Sequence, residues 1–246
     1  MGQATNDFKN RKRLFISGES RAVRRCADVI DAWIWWSYVG RAILSEILDA
    51  PAGRTVDFSV VPDNFIAGLD ARASARSPND AYGAGYSSPD LGITGTGMGS
   101  KVSVVLTNSL SVSDGTCQAI MNVPCSSLAA FKTHFVLMHE IVHANRIARG
   151  KLRTVSMGGR LKNSEEAIAI IVTNMLMSEK GESGLRKTYD TSDVLTITAD
   201  EFVKQDGVES LVRTIANDHP RLKTTLNRKE IPVPFNPIYS VFQGAP

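Results

Sequence analysis

Cysteine is scarce in this chain: Cys26, Cys117 and Cys125 are the only three in 246 residues. Three thiols cannot all pair and none stands in a C-x-x-C, which excludes a disulfide framework and a cysteine-built zinc site. The chain is expected to fold reduced. Charge of one sign is also missing. Lys and Arg number 28 against 25 Asp and Glu, a net +3, too small an excess to make nucleic acid a partner. The basic residues are scattered, apart from Arg11-Lys12-Arg13 and Arg24-Arg25. Nor is there a long apolar run free of charge. The most apolar stretch, Val29 to Leu48, carries Asp31, Arg41 and Glu46, so an amphipathic core helix is expected and stable membrane insertion is not. The opening Met1-Gly2-Gln3-Ala4-Thr5-Asn6 lacks the apolar segment of a cleavable secretory signal, and Asn6 stands where myristoylation wants Ser or Thr. With 43% hydrophobic and 22% charged residues, global disorder is excluded too.

What is present reads as one domain. Residues 1–18 form a flexible lead-in, and 19–246 carry no internal repeat and no clear linker. From Ser20 to Leu48, Val23, Ala27, Ile30, Ile34, Val39, Ile43 and Ile47 recur at helical steps, and Asp49-Ala50-Pro51-Ala52-Gly53 ends the helix. Thr55–Val61 and Lys101–Thr107 alternate and are β-branched, hence strands. Between them, 74–100 is a long Gly-, Ser- and Pro-rich loop of the length that often carries function. A strong helix is predicted from about Ser126 to Arg149, stopped by Gly150. A second runs over Glu165–Glu179, capped by Asn163-Ser164 and ended by Gly181. A short β-like Val194–Ile197, a helix over Ala199–Ala216 and a proline-rich tail complete the chain.

The chemistry is concentrated in His139-Glu140-Ile141-Val142-His143, an H-E-x-x-H inside the predicted helix. Residues four apart on a helix differ by about 40° and about 6 Å of rise, so both imidazoles leave one face at the spacing that grips one Zn²⁺. Glu140 lies beside such a metal, placed to take a proton from zinc-activated water and pass it to a leaving amine. The competing reading is a solvated helix with incidental histidines. That reading must explain two imidazoles and a carboxylate set among Phe135, Val136, Leu137, Met138, Ile141 and Val142. It must also place half of the chain's 4 histidines in one motif.

A third ligand has to come from another element. His134 lies about 140° round the helix from His139 and about 180° from His143, which turns it away. His219, in Asn217-Asp218-His219-Pro220, would reach the site only through tertiary folding. Glu165 and Glu166 open a helix that is otherwise almost wholly apolar, where a carboxylate is costly unless paired or bound to metal. Both could instead simply complement the helix N-terminus, where negative charge gains about 0.3–1 kcal/mol. Glu166 lies within about 20° of Thr173 on the helix wheel, whereas Glu165 shares the direction of Val172. Glu166 is therefore the expected ligand, and Glu165 its supporting partner or alternate. A hydrolytic zinc site usually adds a donor for the developing oxyanion. Tyr189 and Arg186, just past this helix, are the nearest in sequence, and Tyr189 is taken as the catalytic donor.

The two motifs together resemble the gluzincin metallopeptidases. The second motif of that family reads roughly N-E-x-x-A-D, and Glu166-Ala167-Ile168-Ala169 matches its E-x-x-A part. Glu165 stands in place of the Asn. Ile170 stands where an Asp often orients a ligand histidine, which leaves that task unassigned, with Asn174 as a candidate. The Glu-Glu pair, Thr173-Asn174, Ser178-Glu179-Lys180-Gly181 and Leu185-Arg186 also resemble zincin effector and toxin domains secreted by bacteria, over about residues 95–240. The resemblance implies an α+β zincin-like domain with an active-site helix, a second ligand-bearing helix and a small β-sheet. It implies one Zn²⁺ per chain and a protein or peptide substrate of a host or competitor cell. Secretion by a specialised system is implied as well, with a secretion chaperone or immunity protein as partner, the other expectation being a cytoplasmic protein.

Two rival functions share the residues. A non-catalytic binding protein would use the zinc to staple two helices and close the site with a fourth ligand, whereas a catalytic site keeps an open position. A zinc hydrolase of non-protein amides, such as cell-wall crosslinks, would differ only in its cleft. Gly95-Thr96-Gly97-Met98-Gly99-Ser100 is no phosphate loop, because no Gly-Lys-Ser/Thr follows; it is expected to border the substrate cleft beside an edge strand. Trp33, Trp35 and Trp36 are expected to anchor the first helix in the core and at the surface.

Overall fold

The computed structural model describes residues 13–18, 20–52, 54–61, 73–76, 97, 99–105, 133–153, 155–157, 163–187 and 194–243. Strand β1 (Leu14–Ser17), inside the segment expected as a flexible lead-in but paired with residues 56–59 and with Leu14 buried, leads into α1 (Ser20–Val29), a π-helical stretch (Ile30–Trp35) and α2 (Tyr38–Leu48). Strands β2 (Val56–Val61), β3 (Ala73–Arg76) and β4 (Ser100–Val105) follow. Then come α3 (Thr133–Ala148), α4 (Ser164–Glu179), β5 (Leu185–Arg186), β6 (Val194–Leu195), α5 (Ala199–Val203), α6 (Val208–Asp218), α7 (Pro220–Leu226) and α8 (Pro237–Phe242). The architecture is mixed: helices around two small sheets.

The larger sheet has the order β1-β2-β4-β3, its first three strands parallel and β3 antiparallel at the edge. Its register sets Ile16 beside Phe58 and Phe58 beside Val102. Alternation does the rest: Leu14, Val56, Phe58 and Val102 are buried, whereas Phe15 between them is half exposed. Helix α3 packs against β3 and β4 on one side and against α2, α4 and the π-helical stretch on the others. That explains its nearly continuous burial from His134 to Ala148. Among the described residues no helix is long and apolar enough to cross a membrane.

Several expected elements have different bounds, each for a local reason. The single helix over Ser20–Leu48 is broken at Ser37, which is extended (φ −100°, ψ 155°) and caps α2 by accepting the Gly40 N–H. Its hydroxyl donates in turn to Ile34 O at 2.6 Å. Two further N–H groups of the new helix, on Tyr38 and Val39, donate to the Glu179 carboxylate at 2.7 and 3.1 Å, so the far end of α4 completes the cap. The helix over Ala199–Ala216 is likewise two, separated at Gly207, which takes a left-handed φ of 74°. The proline-rich tail is partly helical. Pro220 and Pro237 each sit in the first turn of a helix, where a missing N–H costs nothing. The strand expected over Val194–Ile197 pairs only at Val194–Leu195. The residues 126–132 of the predicted zinc helix, most of the 74–100 loop, and Cys117 and Cys125 lie outside the described residues.

The break at Ser37 brings α2 back tightly on itself. A Cβ added to Gly40 would lie 2.6 Å from Ile34 Cγ2 and 2.7 Å from Ser37 Oγ, and closer still to Ile34 O. Gly40→Ala is therefore expected to destabilise the fold by about 1–3 kcal/mol through overpacking, measured as a shift in the denaturant midpoint. A neutral or stabilising effect would mean that the chain does not turn so closely here.

Candidate metal centre

Two helices supply the site, and local rules fix both. On α3, His139 and His143 are one turn apart, and their rings meet edge-to-face with centroids 4.8 Å apart. On α4, Asn163 caps the helix by accepting the N–H groups of Glu165 and Glu166, each at 3.0 Å. This brings the two carboxylates to α3 on the first turn. Glu166 Oε2 lies 3.1 Å from His139 Nε2 and 3.7 Å from His143 Nε2, and the two Nε2 atoms are 3.2 Å apart. One ligand atom from each of His139, His143 and Glu166 falls within 4.8 Å of the others, and this group can hold a metal ion. Both histidines are buried, while the Glu166 side chain keeps 18% of its surface in solvent.

Glu165 turns to the other side of the same ring. Its Oε1 lies 3.1 Å from His143 Nδ1. An ionised carboxylate can only accept, so Nδ1 donates and Nε2 is the nitrogen left to face Glu166. Thus Glu165 does the orienting task for which Asn174 was a candidate. Asn174 is committed elsewhere: its side chain accepts the Arg186 N–H at 2.9 Å and donates to the Arg186 carbonyl at 2.7 Å. That clamp holds β5 beside α4 and leaves Arg186 Nη1 3.5 Å from His139 Nδ1.

The electrostatics suit cation binding. Burial disfavours the imidazolium of His139 and, against its bond to Glu166, pushes the ring down to about 4. His143 is as buried, but its bonds to Glu165 and Glu166 outweigh that penalty and push it up to about 10. Burial would raise both carboxyls. Bonds from His139 and His143 nevertheless hold Glu166 well below the usual range, and the Arg146 guanidinium with the His143 bond holds Glu165 low. A metal needs neutral imidazoles and an ionised carboxylate. His139 and Glu166 already have those forms, and a cation takes the place of the proton that His143 shares with them. The half-buried Glu140 is close enough for its charge to act on His143.

The remaining sequence candidates sit elsewhere. His134 is buried and stacks on Trp33, ring centroids 4.3 Å apart and 17° between planes. His219 is buried with Nδ1 2.8 Å from Glu46 Oε2. Tyr189 lies outside the described residues. Gly97 and Gly99 lead into β4, and the space of a Gly97 side chain is taken by the Ala148 and Gly150 backbone at the end of α3, so here the glycines serve close packing. Trp35 packs on the core, whereas Trp33 and Trp36 are 41% and 73% exposed.

Sequence reading missed Arg146. This side chain is wholly buried on α3, donating to Glu165 at 2.8 and 3.0 Å and to Asp218 at 3.0 Å. A signal existed: an arginine seven residues after His139 shares its face of the helix, and in so apolar a helix it demands carboxylate partners.

The chain matches no family model, no curated protein and no solved structure.

The geometry separates the two glutamates. Glu166→Ala removes a ligand atom and is expected to abolish divalent-metal binding. Glu165→Gln keeps the three candidate ligands but weakens the support of His143 and takes the charge from the partner of Arg146, and is expected to weaken binding by about 10–100-fold. Metal content after gel filtration, followed by chelator competition, checks both; the reverse ranking would exchange their roles.

Proposed function

We propose that this chain is a zinc-dependent peptidase with a zincin-like fold, in which His139, His143 and Glu166 hold Zn²⁺ and Glu140 is the general base. One observation carries the reading. The two histidines of the H-E-x-x-H and a carboxylate from a separate helix converge within 4.8 Å, with Glu140 on the turn between the histidines. Two imidazoles and one carboxylate make a donor set suited to zinc, and three protein ligands are the number a catalytic zinc site uses. The partial exposure of Glu166 favours an open site over a closed structural one.

When bound, zinc supplies Lewis acidity, lowering the pKa of a coordinated water towards about 7 and polarising a carbonyl. Glu140 then takes the proton of the attacking water and returns it to the departing amine, which leaves as a neutral group. Glu165 keeps the His143 ring turned to the metal. Arg186, a cation held beside His139 by the Asn174 clamp, offers positive charge to the developing oxyanion, the task also assigned to Tyr189. The substrate class follows from the resemblance of the two motifs: a protein of a target cell, reached through a specialised secretion system, with a chaperone or immunity protein as partner.

The test is metal analysis of the wild type and His139→Ala, with both incubated with a broad peptide library and read by mass spectrometry. One zinc per chain, lost in His139→Ala together with cleavage, is the expected result. Zinc without cleavage of any peptide would move the assignment to a zinc-stapled binding protein or to a hydrolase of other amides. No zinc in the wild type would sink it.

A further inference from the structure

Asp218 ends α6, 72 residues beyond Arg146. Its Oδ2 accepts from Arg146 Nη1 at 3.0 Å, and the Asp218 side chain keeps only 4% of its surface in solvent. The other end of the same guanidinium, Nε, donates to both oxygens of Glu165 at 3.0 and 2.8 Å. Nη2 donates to Lys151 O. Glu165 Oε2 also accepts the Arg153 N–H at 3.1 Å, and Glu165 Oε1 faces His143 Nδ1. One rigid fork thus spans from the α6 terminus to the ring of His143.

The Asp218 corner is itself pinned. Its carbonyl accepts from Arg149 Nη1, and its second oxygen faces Lys151 Nζ at 3.7 Å and Arg153 Nη2 at 3.9 Å. The next residue, His219, meets Glu46 of α2. Glu46 also accepts from Arg149 at 3.0 Å and from the Arg221 N–H at 2.9 Å. Every residue from Asp218 to His143 is therefore buried and held by more than one contact, the condition under which a supporting residue fixes a ligand's orientation.

We propose that Asp218 is a positioning residue for the metal centre, acting through Arg146 and Glu165 to hold the His143 ring at the angle ligation needs. This rests on the reading of His139, His143 and Glu166 as a metal site. It makes the α6–α7 corner, remote in sequence from both motifs, part of the metal-binding apparatus. The fork is specific to arginine, since a lysine ammonium cannot reach two carboxylates in fixed, planar geometry.

The experiment compares wild type, Asp218→Asn, Asp218→Ala, Arg146→Lys and Asp49→Asn, the last removing an exposed carboxylate paired with Arg221. For each, Zn²⁺ and Co²⁺ affinity is measured by chelator competition, the visible spectrum of the Co²⁺ form is recorded, and unfolding is followed in excess EDTA. Asp218→Ala and Arg146→Lys are expected to bind both metals about 10–100-fold more weakly, with altered Co²⁺ bands, and Asp49→Asn as wild type does. Asp218→Asn, which keeps an acceptor for Arg146, is expected to fall between. A merely structural role would lower only the melting temperature in EDTA. Wild-type affinity and an unchanged Co²⁺ spectrum in Asp218→Asn and in whichever of the other two variants folds would overturn the proposal and leave the metal site standing. Failure of the wild type to bind either ion would overturn both.

Discussion

Glu140→Gln is expected to bind one metal ion per chain with unchanged affinity while its peptide hydrolysis falls by about 10²–10⁴-fold, the usual contribution of a positioned general base. The substitution changes little in volume and removes no ligand atom, because Glu140 leaves α3 about 100° round from His139 and about 60° from His143, beside the ligand group rather than in it. What it removes is a basic oxygen. A neutral amide cannot take a proton from water, nor carry one to a departing amine. In the proposed mechanism the remaining groups, Arg186 among them, still bind and polarise the substrate, so the Michaelis constant should change far less than the turnover. Three measurements decide the matter together: metal content, turnover, and the Michaelis constant on a peptide that the wild type cleaves. Full cleavage by the variant would show that the proton moves through another group. Loss of metal would show that Glu140 is itself a ligand.

How much of this was legible in the sequence depends on the range of the forces involved. The facing of His139 and His143 follows from helical pitch alone, and the start of α4 from an asparagine cap three residues before Glu166; both are local. Strands β2 and β4 show in the alternation of Val56-Asp57-Phe58 and in the β-branched run around Val102, because Val56, Phe58 and Val102 pack inward. The break at Ser37 was hidden. Its cap is completed by Glu179, 141 residues beyond Tyr38, and hydrophobic periodicity continues across it undisturbed. Asn174 shows the limit at the site. A polar residue on an apolar helix announces that it has a partner but not which, and its partner proved to be the backbone of Arg186 rather than a histidine. The same holds for Asp218 and His219. Their type and spacing say nothing of the two buried carboxylate clusters they join, since those exist only once α2, α3 and α6 have packed.

Those clusters carry the second large effect. Arg146→Met is expected to lower stability by about 3–5 kcal/mol in EDTA, the cost of removing one partner from a buried ionic group. The methionine fills much of the volume but leaves Glu165 and Asp218, which have 5% and 4% exposed side chains, without their principal counter-charge. The residual partners are weaker: the Arg153 N–H and His143 for Glu165, and two cations beyond 3.5 Å for Asp218. A loss of that size is a large part of the roughly 5–15 kcal/mol that holds a domain together. At about 2–4 °C per kcal/mol for a chain of this size, it lowers the melting temperature by about 6–20 °C. Burial, not the bond count, makes the difference. Arg213 also donates twice to one carboxylate, Glu209, yet both side chains are more than half exposed, and such pairs contribute about 0–1 kcal/mol. Arg213→Met is therefore the control. Adding Asp218→Leu to Arg146→Met should recover part of the loss, because it removes one of the two stranded charges. Equal melting temperatures for Arg146→Met and Arg213→Met would mean that water reaches the Glu165–Arg146–Asp218 chain, and that the site beside it is less rigid than its geometry implies.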